Sequence, residues 1–588
     1  MIAPGTILLD AQFPLSLEVQ VKRLSAPRYA GAQVDLWTFD GPERRRAAEL
    51  ALAAAGVTAR IRSAYKPLVH AFLEEIDLNG VASVAIRYPV VKGAPADRFL
   101  LESYPVAELV GRRKLTFEKL RATDGRAVPN YRVELLRKDG GKKTITVAAP
   151  NVRKKDHCGT PILGPTGWLR VRSRRNPALN VDKRLIADQE QAFAAIVKAL
   201  QTHKWPRKEP YFQRLNLRVE APFYDLPLAA AGEAISTAEA MHEDLYFSAL
   251  EIFKRLRDLS RDERICRPGQ IVPDIVVCGE TVRVRVAVAA DRAGDDSAPG
   301  DSAGDLDSAA RWLYPADIKA HLEGLGGEAY ECRSQRGRPI WGQHVMGSGP
   351  HIAISAGQHA NETSGPVGAL RAAHRLKEDG KVGFTVSPLE NVDGYALFRE
   401  LCAAHPDHMH HAARFTADGS DLEYVERSHE NEIRHLARER TGADVHLNLH
   451  GYPAHEWTRP FTGYVPYGAE LWTIPKGFFL ILRYQPGWQE LGEFILHATI
   501  DELAKHRPLI AFNRRQLARY GRYVPEMPFP VRKNIPYFTT EWERGIFPVT
   551  IITEAPDETV YGDDFALMHT AQMMTVTAAA QAVRRWCA

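Results

Sequence analysis

The chain has 588 residues, of which 45% are hydrophobic, 25% charged and 9% aromatic. This length predicts two or three domains, and the composition is typical of folded chains, which excludes wholesale disorder. Lys and Arg number 76 and Asp and Glu 72, so the formal net charge is +4. Such a small excess gives no argument for nucleic acid or an anionic membrane as a partner.

The cysteines and the first residues bear on the compartment. The six cysteines lie far apart and form no CxxC pair, which favours free thiols in a reducing compartment. The opening segment, MIAPGTILLDAQFPL, has no basic stretch followed by an apolar run, and no segment approaches the roughly 18 apolar residues of a spanning helix. We therefore expect a cytoplasmic protein without a membrane partner; the sequence leaves open whether it forms a homo-oligomer.

The first half of the chain contains both strand and helix patterns. Leu15–Leu24 and Gln33–Phe39 are predicted to be strands, and Gly41–Ala55 is predicted to be an Ala-rich helix. The segment 99–171 has mostly strand and turn patterns, with a hairpin signal at Lys138–Gly141.

Two further helices and a strand complete this half. Ile186–His203 is predicted to be a helix, and a second helix begins at Ser236, where Glu239 completes a capping box. The alternating residues of Val276–Val288 predict a half-buried strand. Residues 1–290 are therefore predicted to be a mixed α+β region, and they show no catalytic signature.

A change of composition separates the two halves. Residues 291–308, DRAGDDSAPGDSAGDLDS, contain six Asp and nine Ala, Gly or Ser. Such a segment has too little apolar surface to offset the entropy of ordering, so it is predicted to be a mobile linker or long loop. The second domain is then expected over residues 309–588.

In the second half, short apolar runs are followed by polar residues. Four runs are predicted to be strands: Ile352–Ser355, Phe384–Val386, Asp444–Leu449 and Phe547–Thr553. Helical patterns alternate with them, which predicts an α/β domain with a parallel or mixed sheet. His359 and Glu362 follow the first strand, His450 follows the third, and Glu554 follows the last. Chemistry in such sheets collects at the carboxyl ends of strands.

These residue types suit a zinc ion that activates water, which needs about three His or carboxylate ligands and one open position. His359 and Glu362 lie three residues apart in a tight turn and can converge on one ion, and His450 can supply the third ligand. Glu554 ends an apolar strand, where an isolated carboxylate is costly unless a cation is near. Glu558, four residues later, is the competing carboxylate.

Other histidines lack this context. His429 and Glu432 form a second HxxE, but they lie in a highly charged helical stretch and are predicted to be solvated. A further cluster has no predicted strand end to organise it and is interpreted as loop histidines: His405, His408, His410 and His411.

Five short motifs occur in one order within the second half: GQHANE, ENVDGY, ARFTADGSDL, NLHGY and TEAP. Together they resemble the zinc carboxypeptidase family, over roughly Trp312 to the end of the chain. The resemblance implies an α/β/α sandwich around a twisted mixed sheet and one Zn²⁺ per chain. It further implies His359, Glu362 and His450 as zinc ligands, Glu554 as the general base and Arg414 as the residue that polarises the scissile carbonyl.

The resemblance also shows departures near the expected substrate. Where the family has Asn-Arg to hold a peptide's terminal carboxylate, this chain has Glu423 and Tyr424, and Asn361 replaces an Arg between the first two ligands. Arg459 is a candidate replacement cation. The substrate-binding residues are therefore predicted to be Glu423, Tyr424, Asn361, Arg459 and a mobile tyrosine, Tyr537 in preference to Tyr523.

The sequence supports three hypotheses on function. The first is a zinc-dependent hydrolase of a peptide or amide C–N bond. The second is a deacylase or amidohydrolase that acts on N-acyl amino acids or other small amides, which the missing Asn-Arg pair favours. The third is a binding protein with a degenerate hydrolase domain. A peptide or small amide substrate is the expected partner, and nucleic acid is not.

Overall fold

The computed structural model describes residues 1–156, 159–229, 232–260, 263, 265–290, 304–425, 427–456, 474–524 and 526–588. The chain forms two compact units. The first comprises Met1–Glu263, Ile271–Ala290 and Glu456–Thr473, and the second comprises Arg264–Gln270, Asp291–His455 and Ile474–Ala588.

The predicted linker falls largely outside the described residues, which resume at residue 304. Its last part is ordered: Leu306–Ser308 form a 3-10 turn in which Leu306 is buried. Asp307 in this turn pairs with Arg371 and Arg375 of the same unit, which explains how this otherwise polar segment is held in place. The domain boundaries at 290 and 309 stay predictions.

The first unit contains sixteen strands among its described residues. The first residue of the fifteenth strand, Gln270, is counted with the second unit. The strands are β1 Ile7–Phe13, β2 Gln33–Thr38, β3 Thr58–Ser63, β4 Val81–Tyr88, β5 Lys114–Lys119, β6 Asn130–Arg137, β7 Lys142–Ala148, β8 Asn151–Lys155, β9 Pro161–Pro165, β10 Gly167–Arg172, β11 Val181–Leu185, β12 Arg214–Ala221, β13 Asp225–Pro227, β14 Ala234–Ser236, β15 Gln270–Val277 and β16 Val282–Ala289. The helices are α1 Ser16–Leu24, α2 Pro42–Ala54, α3 Pro67–Glu74, α4 Arg98–Glu102, α5 Val106–Val110, α6 Asp188–Thr202 and α7 Thr237–Leu256.

Three four-stranded sheets and two pairs of strands organise this unit. The four-stranded orders are β1-β16-β12-β15, β11-β10-β2-β3 and β5-β4-β6-β7. The unit is a mixed α+β region, as predicted. The predicted hairpin joins β6 to β7, and the Ser236 hydroxyl accepts a hydrogen bond from the backbone N–H of Glu239 (2.9 Å) at the start of α7.

One strand prediction in this unit is wrong. Leu15–Leu24 is not a strand, because Ser16–Leu24 form α1. The same sequence also places Leu17, Val21 and Leu24 on one face of a helix, and this face packs into the core. At the start of the helix, the Asp188 carboxylate accepts a hydrogen bond from the Ser16 N–H (2.7 Å). The region 99–171 is mostly strand and turn, as predicted, after the short helices α4 and α5 at its start.

The second unit contains nine strands and seven α-helices among its described residues. The strands are β17 Glu328–Arg333, β18 Pro339–Val345, β19 His351–Ala356, β20 Gly383–Ser387, β21 Val445–Pro453, β22 Phe479–Tyr484, β23 Val531–Arg532, β24 Ile535–Glu541 and β25 Val549–Glu558. The helices are α8 Pro315–Leu325, α9 Ser364–Asp379, α10 Val392–Ala404, α11 Glu432–Thr441, α12 Gln489–Leu503, α13 Arg507–Tyr520 and α14 Gly562–Cys587.

All nine strands form one sheet in the order β17-β18-β20-β19-β21-β25-β22-β24-β23. The centre of the sheet is parallel: β19 pairs in parallel with both β20 and β21, and β21 also pairs in parallel with β25. By contrast, β22 runs antiparallel to β25. The sheet is therefore mixed, as predicted. Both β21 and β25 continue past the ends expected from the sequence, so His450 and Glu554 lie within strands and not after them.

Helices cover both faces of this sheet. On one side of β21, Gly365 of α9 closely approaches Leu449. On the other side, the side chain of the adjacent Asn448 donates a hydrogen bond to Gln358. The same Gln358 oxygen accepts a hydrogen bond from Arg434 of α11. Because successive side chains of a strand point to opposite faces, α9 and α11 lie on opposite sides of β21. The predicted α/β/α sandwich is confirmed.

Among the helices of the described residues, none combines the length and the apolar character that crossing a bilayer requires.

Candidate metal centre

The first part of the site is the connection from β19 to α9. Gly357 follows the strand with a φ of +64° and turns the chain, in a position where a Cβ would lie 2.7 Å from the Leu389 side chain. The six residues before Ser364 then carry His359 and Glu362 across the end of the sheet. The sequence prediction of a tight strand-to-helix connection at these residues is confirmed.

The second part is β21, which runs parallel to β19 and brings His450 beside this connection. Ala356, the last residue of β19, pairs with Leu449, so His450 lies one residue beyond the end of the neighbouring strand. The Gly451 N–H donates a hydrogen bond to Oε2 of Glu362 (3.0 Å). A Cβ at Gly451 would lie 1.9 Å from the Asp557 carboxylate, so this close packing of β21 on β25 requires glycine.

His359, Glu362 and His450 converge. Nδ1 of His359 lies 2.8 Å from Oε1 of Glu362, Nδ1 of His450 lies 3.1 Å from Oε2 of Glu362, and the two Nδ1 atoms are 3.1 Å apart. A tetrahedral zinc site with ligand bonds of about 2.0–2.1 Å separates its ligand atoms by about 3.3 Å. Two imidazole nitrogens and a carboxylate at these distances fit a zinc ion after small adjustments.

The charges at this group also suit a cation. Burial alone would raise the pKa of the Glu362 carboxyl, but His359, Arg414 and His450 lower it well below its usual range. Burial lowers the pKa of His450, although Glu362 opposes the effect. An ionised carboxylate beside an imidazole that stays neutral is the donor set that divalent zinc prefers.

Glu554 lies directly beside the group. In the register of β21 and β25 it is the partner of His450, so both side chains project from the same face of the sheet on strands about 4.8 Å apart. Burial raises the pKa of Glu554 well above its usual range, and the nearby Glu362 carboxylate adds to this effect. Glu558 lies farther along β25, with its carboxylate 3.7 Å from Nε2 of His411.

Arg414 also reaches the group, since its Nη1 donates a hydrogen bond to Oε1 of Glu362 (2.7 Å). The side chain of Arg414 retains 23% exposure, so a substrate can approach it. Burial would lower the pKa of this guanidinium, but Glu362, Asp421, Glu558 and Glu554 raise it. Arg414 is therefore a fixed cation at the edge of the metal centre.

The structure adds Asp421, which the sequence analysis did not single out. Its Oδ1 lies 3.6 Å from Nε2 of His359 and accepts a hydrogen bond from the backbone N–H of Glu423 (3.1 Å). A carboxylate on the outer nitrogen fixes the orientation of a metal-binding histidine. The signal was available, because Asp421 belongs to the same DGSDL motif that carried the resemblance.

The predicted substrate residues have different surroundings. The Glu423 carboxylate pairs with Arg483 and lies 3.4 Å from Arg434. The Tyr424 ring lies edge-on to Trp542, with ring centres 6.1 Å apart. These contacts place Glu423 and Tyr424 in a cluster of ionic and aromatic side chains.

Asn361 is 2% exposed, and its side chain fixes the connection between β19 and α9. Its Nδ2 donates a hydrogen bond to the Met409 carbonyl (3.0 Å), whereas its buried Oδ1 has no hydrogen-bond partner among the described residues. Arg459 lies outside the described residues.

Tyr537 does not belong to this site. It pairs with Leu480 of β22, whereas Glu554 pairs with the neighbouring Phe479, so the side chains of Tyr537 and Glu554 project from opposite faces of the sheet. The Tyr537 ring lies edge-on to His497 of α12, 6.1 Å away. The prediction of Tyr537 as the mobile tyrosine of the site is therefore wrong.

The other histidines do not form a comparable group. Over the described ranges, His359, Glu362 and His450 are the only three His, Cys, Asp or Glu residues whose ligand atoms converge closely enough for a metal ion. His429 is exposed, as predicted for the second HxxE. The rings of His405 and His408 stack on each other with centres 4.6 Å apart.

Comparisons with known proteins give a structural similarity over about half of the chain. A metallo-carboxypeptidase from Burkholderia cenocepacia is 13% identical, with 52% of this chain and 73% of that chain covered and a TM-score of 0.29. A metallo-carboxypeptidase from Pseudomonas aeruginosa is 15% identical, with 52% and 72% covered and a TM-score of 0.29. Carboxypeptidase A from Helicoverpa armigera is 11% identical, with 53% and 90% covered and a TM-score of 0.29.

No family model matches this sequence, and the comparison with curated proteins gives no match. The solved structures named above are 11–15% identical to this chain with TM-scores of 0.29, and these values are too low to transfer a substrate or a reaction. The chemistry of the site therefore rests on the side chains of the second unit.

Proposed function

We propose that the second unit is a zinc-dependent hydrolase of a peptide or amide C–N bond. The observation that carries this proposal is the convergence of His359, Glu362 and His450 with Glu554 directly opposite His450 on the same face of the sheet. His359 and His450 would hold the ion through Nδ1, and Glu362 through its carboxylate. A zinc ion bound there supplies a water of lowered pKa and a Lewis acid for the carbonyl oxygen.

The remaining chemistry falls to side chains of this unit. Glu554 accepts the proton of the attacking water and delivers it to the leaving nitrogen, which is the role of a positioned general base and acid. Arg414 supplies a fixed guanidinium for the negative charge that develops on the carbonyl oxygen, a contribution that favours the transition state over the substrate. Asp421 keeps the ring of His359 oriented.

The test is a pair of substitutions at two carboxylates of one strand. Glu554→Gln should retain about one zinc per chain and lose at least about 100-fold in kcat on a responsive peptide or amide, because it removes a general base. The matched variant Glu558→Gln should lose less than about tenfold. Wild-type kcat in Glu554→Gln would remove Glu554 from the mechanism, and a larger loss in Glu558→Gln would reassign the base.

A second candidate is a deacylase or amidohydrolase of N-acyl amino acids or other small amides. It is favoured by Glu423 and Tyr424, which stand where an Asn-Arg pair would hold a peptide's terminal carboxylate. Turnover of N-acetyl amino acids together with failure to cleave blocked dipeptides would select this branch. The third hypothesis, a binding protein, would gain if protein prepared without chelator contained no zinc.

A further inference from the structure

The first unit contains a cavity of about 260 Å³. Residues 145–148 of β7 line it, together with the face of α3 that carries His70 and Glu74. Trp37 of β2 and Arg62 of β3 also line it, and all of the lining residues belong to the first unit. The volume lies just below the range of about 300–1,000 Å³ of small-ligand pockets. The cavity therefore suits a short stretch of chain.

The part of the wall that β7 contributes is an open sheet edge. This strand is the last in the order β5-β4-β6-β7, and over the described residues it pairs with β6 alone. The Arg137 N–H donates a hydrogen bond to the Gly141 carbonyl before the strand, and the Ala149 N–H donates one to the Pro129 carbonyl after it, both at 2.8 Å. Bonded and non-bonded pairs alternate along an antiparallel ladder, so the odd-numbered residues of β7 bond β6. The N–H and C=O groups of the even-numbered residues therefore point away from β6.

Two of these outward residues, Thr146 and Ala148, line the cavity. Their backbone groups form no hydrogen bond with the rest of the described chain. Ala148 is only 8% exposed, so its outward groups have little access to water. Because buried backbone N–H and C=O groups are almost always paired, this edge is a site for a further main-chain partner.

The charges of the cavity indicate what kind of partner fits. Charged side chains that line it are paired with opposite charges: Arg62 with Asp35 and Glu75, Arg170 with Asp182, and Glu74 with Arg45. A charged occupant would therefore gain little from these side chains. A neutral occupant with regularly spaced donors and acceptors complements both the balanced charges and the open edge, and a peptide main chain has these properties.

We propose that the first unit binds an extended, uncharged peptide segment as an additional strand against β7. The N–H and C=O groups of the segment pair with those of Thr146 and Ala148, which are about 6.8 Å apart at about 3.4 Å per residue. In this mode of recognition the main-chain hydrogen bonds provide the affinity. The inference goes beyond the proposed hydrolase and does not depend on it, because it assigns peptide capture to the first unit.

The first experiment measures hydrogen exchange of the full chain with acetyl-Gly-Thr-Val-Thr-Val-Gly-amide, in the presence of EDTA so that cleavage does not occur. The amides of Thr146 and Ala148 should exchange rapidly in the free chain and at least tenfold more slowly with saturating peptide. Slow exchange without peptide would overturn the proposal. If it is independent of protein concentration, another segment of this chain covers the edge, and if it increases with concentration, a second copy does.

Two peptide analogues test the main-chain contacts without any change to the protein. One is N-methylated at its threonines and the other at its valines, so each lacks the N–H donors of one edge. At least one analogue should bind more than tenfold more weakly than the parent peptide, as measured by competition with a fluorescein-labelled parent. Equal affinity of all three peptides would overturn strand addition.

Matched substitutions on β7 locate the site. Thr146→Pro removes an outward N–H and leaves the bonds to β6 in place, because an edge strand tolerates proline where the N–H is not paired. It should weaken binding of the labelled peptide at least tenfold, whereas Thr146→Ala should bind within threefold of wild type. Lys142→Pro makes the same change at an outward position outside the cavity and should also bind within threefold. Wild-type affinity in Thr146→Pro would overturn the proposal, whether or not the second unit proves to be a hydrolase.

Discussion

Each unit of the chain contains a histidine in contact with a glutamate, and the two pairs have almost the same geometry. Nδ1 of His70 lies 2.7 Å from Oε1 of Glu74 in the first unit. Nδ1 of His359 lies 2.8 Å from Oε1 of Glu362 in the second. The contact itself therefore does not distinguish an ordinary ion pair from a metal site.

The surroundings of the two carboxylates distinguish them. Both oxygens of Glu74 accept hydrogen bonds from the fork of Arg45 (2.8 and 2.7 Å), and its side chain is 30% exposed. The Glu362 side chain is 2% exposed, and its Oε2 faces the Gly451 N–H and Nδ1 of His450. The Arg414 guanidinium bonds only Oε1 of Glu362, and a second imidazole, that of His450, lies against the other oxygen. A third converging ligand therefore marks the metal centre.

The largest expected effect is the loss of zinc from Glu362→Gln. Removing the charge of a ligand should weaken zinc binding by more than about 100-fold. This loss is larger than the roughly 10- to 100-fold loss that typically follows removal of a residue that only hydrogen-bonds a ligand. Zinc per chain after dialysis against a competing chelator measures this effect. Glu74→Gln is the matched control and should keep its full zinc content. If both variants keep zinc, the two pairs do not differ in the way described.

Substitution of the outer partner in the second unit should have a smaller effect. Asp421→Asn should weaken zinc binding about 10- to 100-fold, because an outer carboxylate orients the ring of His359 and raises its basicity. Competition titration with a zinc chelator gives the ratio of affinities. An affinity within twofold of wild type would show that Asp421, at 3.6 Å from the ring, does not support the ligand.

Loss of the carboxylate of the first unit should reduce stability and not metal content. Burial would raise the pKa of Glu74, but Arg45 and His70 lower it to about 2. The stabilisation is thus complete above the ordinary pKa and is lost as the pH falls towards about 2. Glu74→Gln should cost about 1–2 kcal/mol at pH 7 after allowance for solvent screening, and less at pH 3.5. Calorimetry at both pH values measures this; a penalty that grows on acidification would contradict it.

The smallest expected effect is that of the outer partner of His70. The Tyr224 hydroxyl lies 3.0 Å from Nε2 of His70, so Tyr224→Phe removes this part-buried hydrogen bond, worth about 1 kcal/mol. A lower melting temperature with unchanged zinc content and turnover is the expected result. A loss of zinc in this variant would mean that the first unit supports the metal centre.

Much of the site was predictable because its residues follow local rules. An apolar strand, a glycine turn and a helix pattern placed His359 and Glu362 in one connection, and the position of Glu554 in an apolar run indicated a buried carboxylate. The strand predicted at Leu15–Leu24 was wrong because the spacing of its apolar residues fits both a strand period and a helix period. The start of the helix that forms there is also held by a hydrogen bond to the distant Asp188.

Long-range pairing explains what sequence reasoning missed. Arg483 contacts Glu423 only because β22 pairs with β25 in the sheet. This pairing places the Arg483 side chain on the same face of the sheet as Glu554. The arginine inside the apolar run FLILRY was the available signal. Tyr537 was misplaced for the converse reason, since the register of β24 decides which face its ring occupies.

The most direct test of the central claim is anomalous diffraction at the zinc edge from crystals of the zinc-loaded chain. The account predicts one strong peak in the second unit within about 2.0–2.2 Å of Nδ1 of His359, Nδ1 of His450 and a carboxylate oxygen of Glu362. A peak at other residues, or none at this group, would contradict the assignment of a metal centre here.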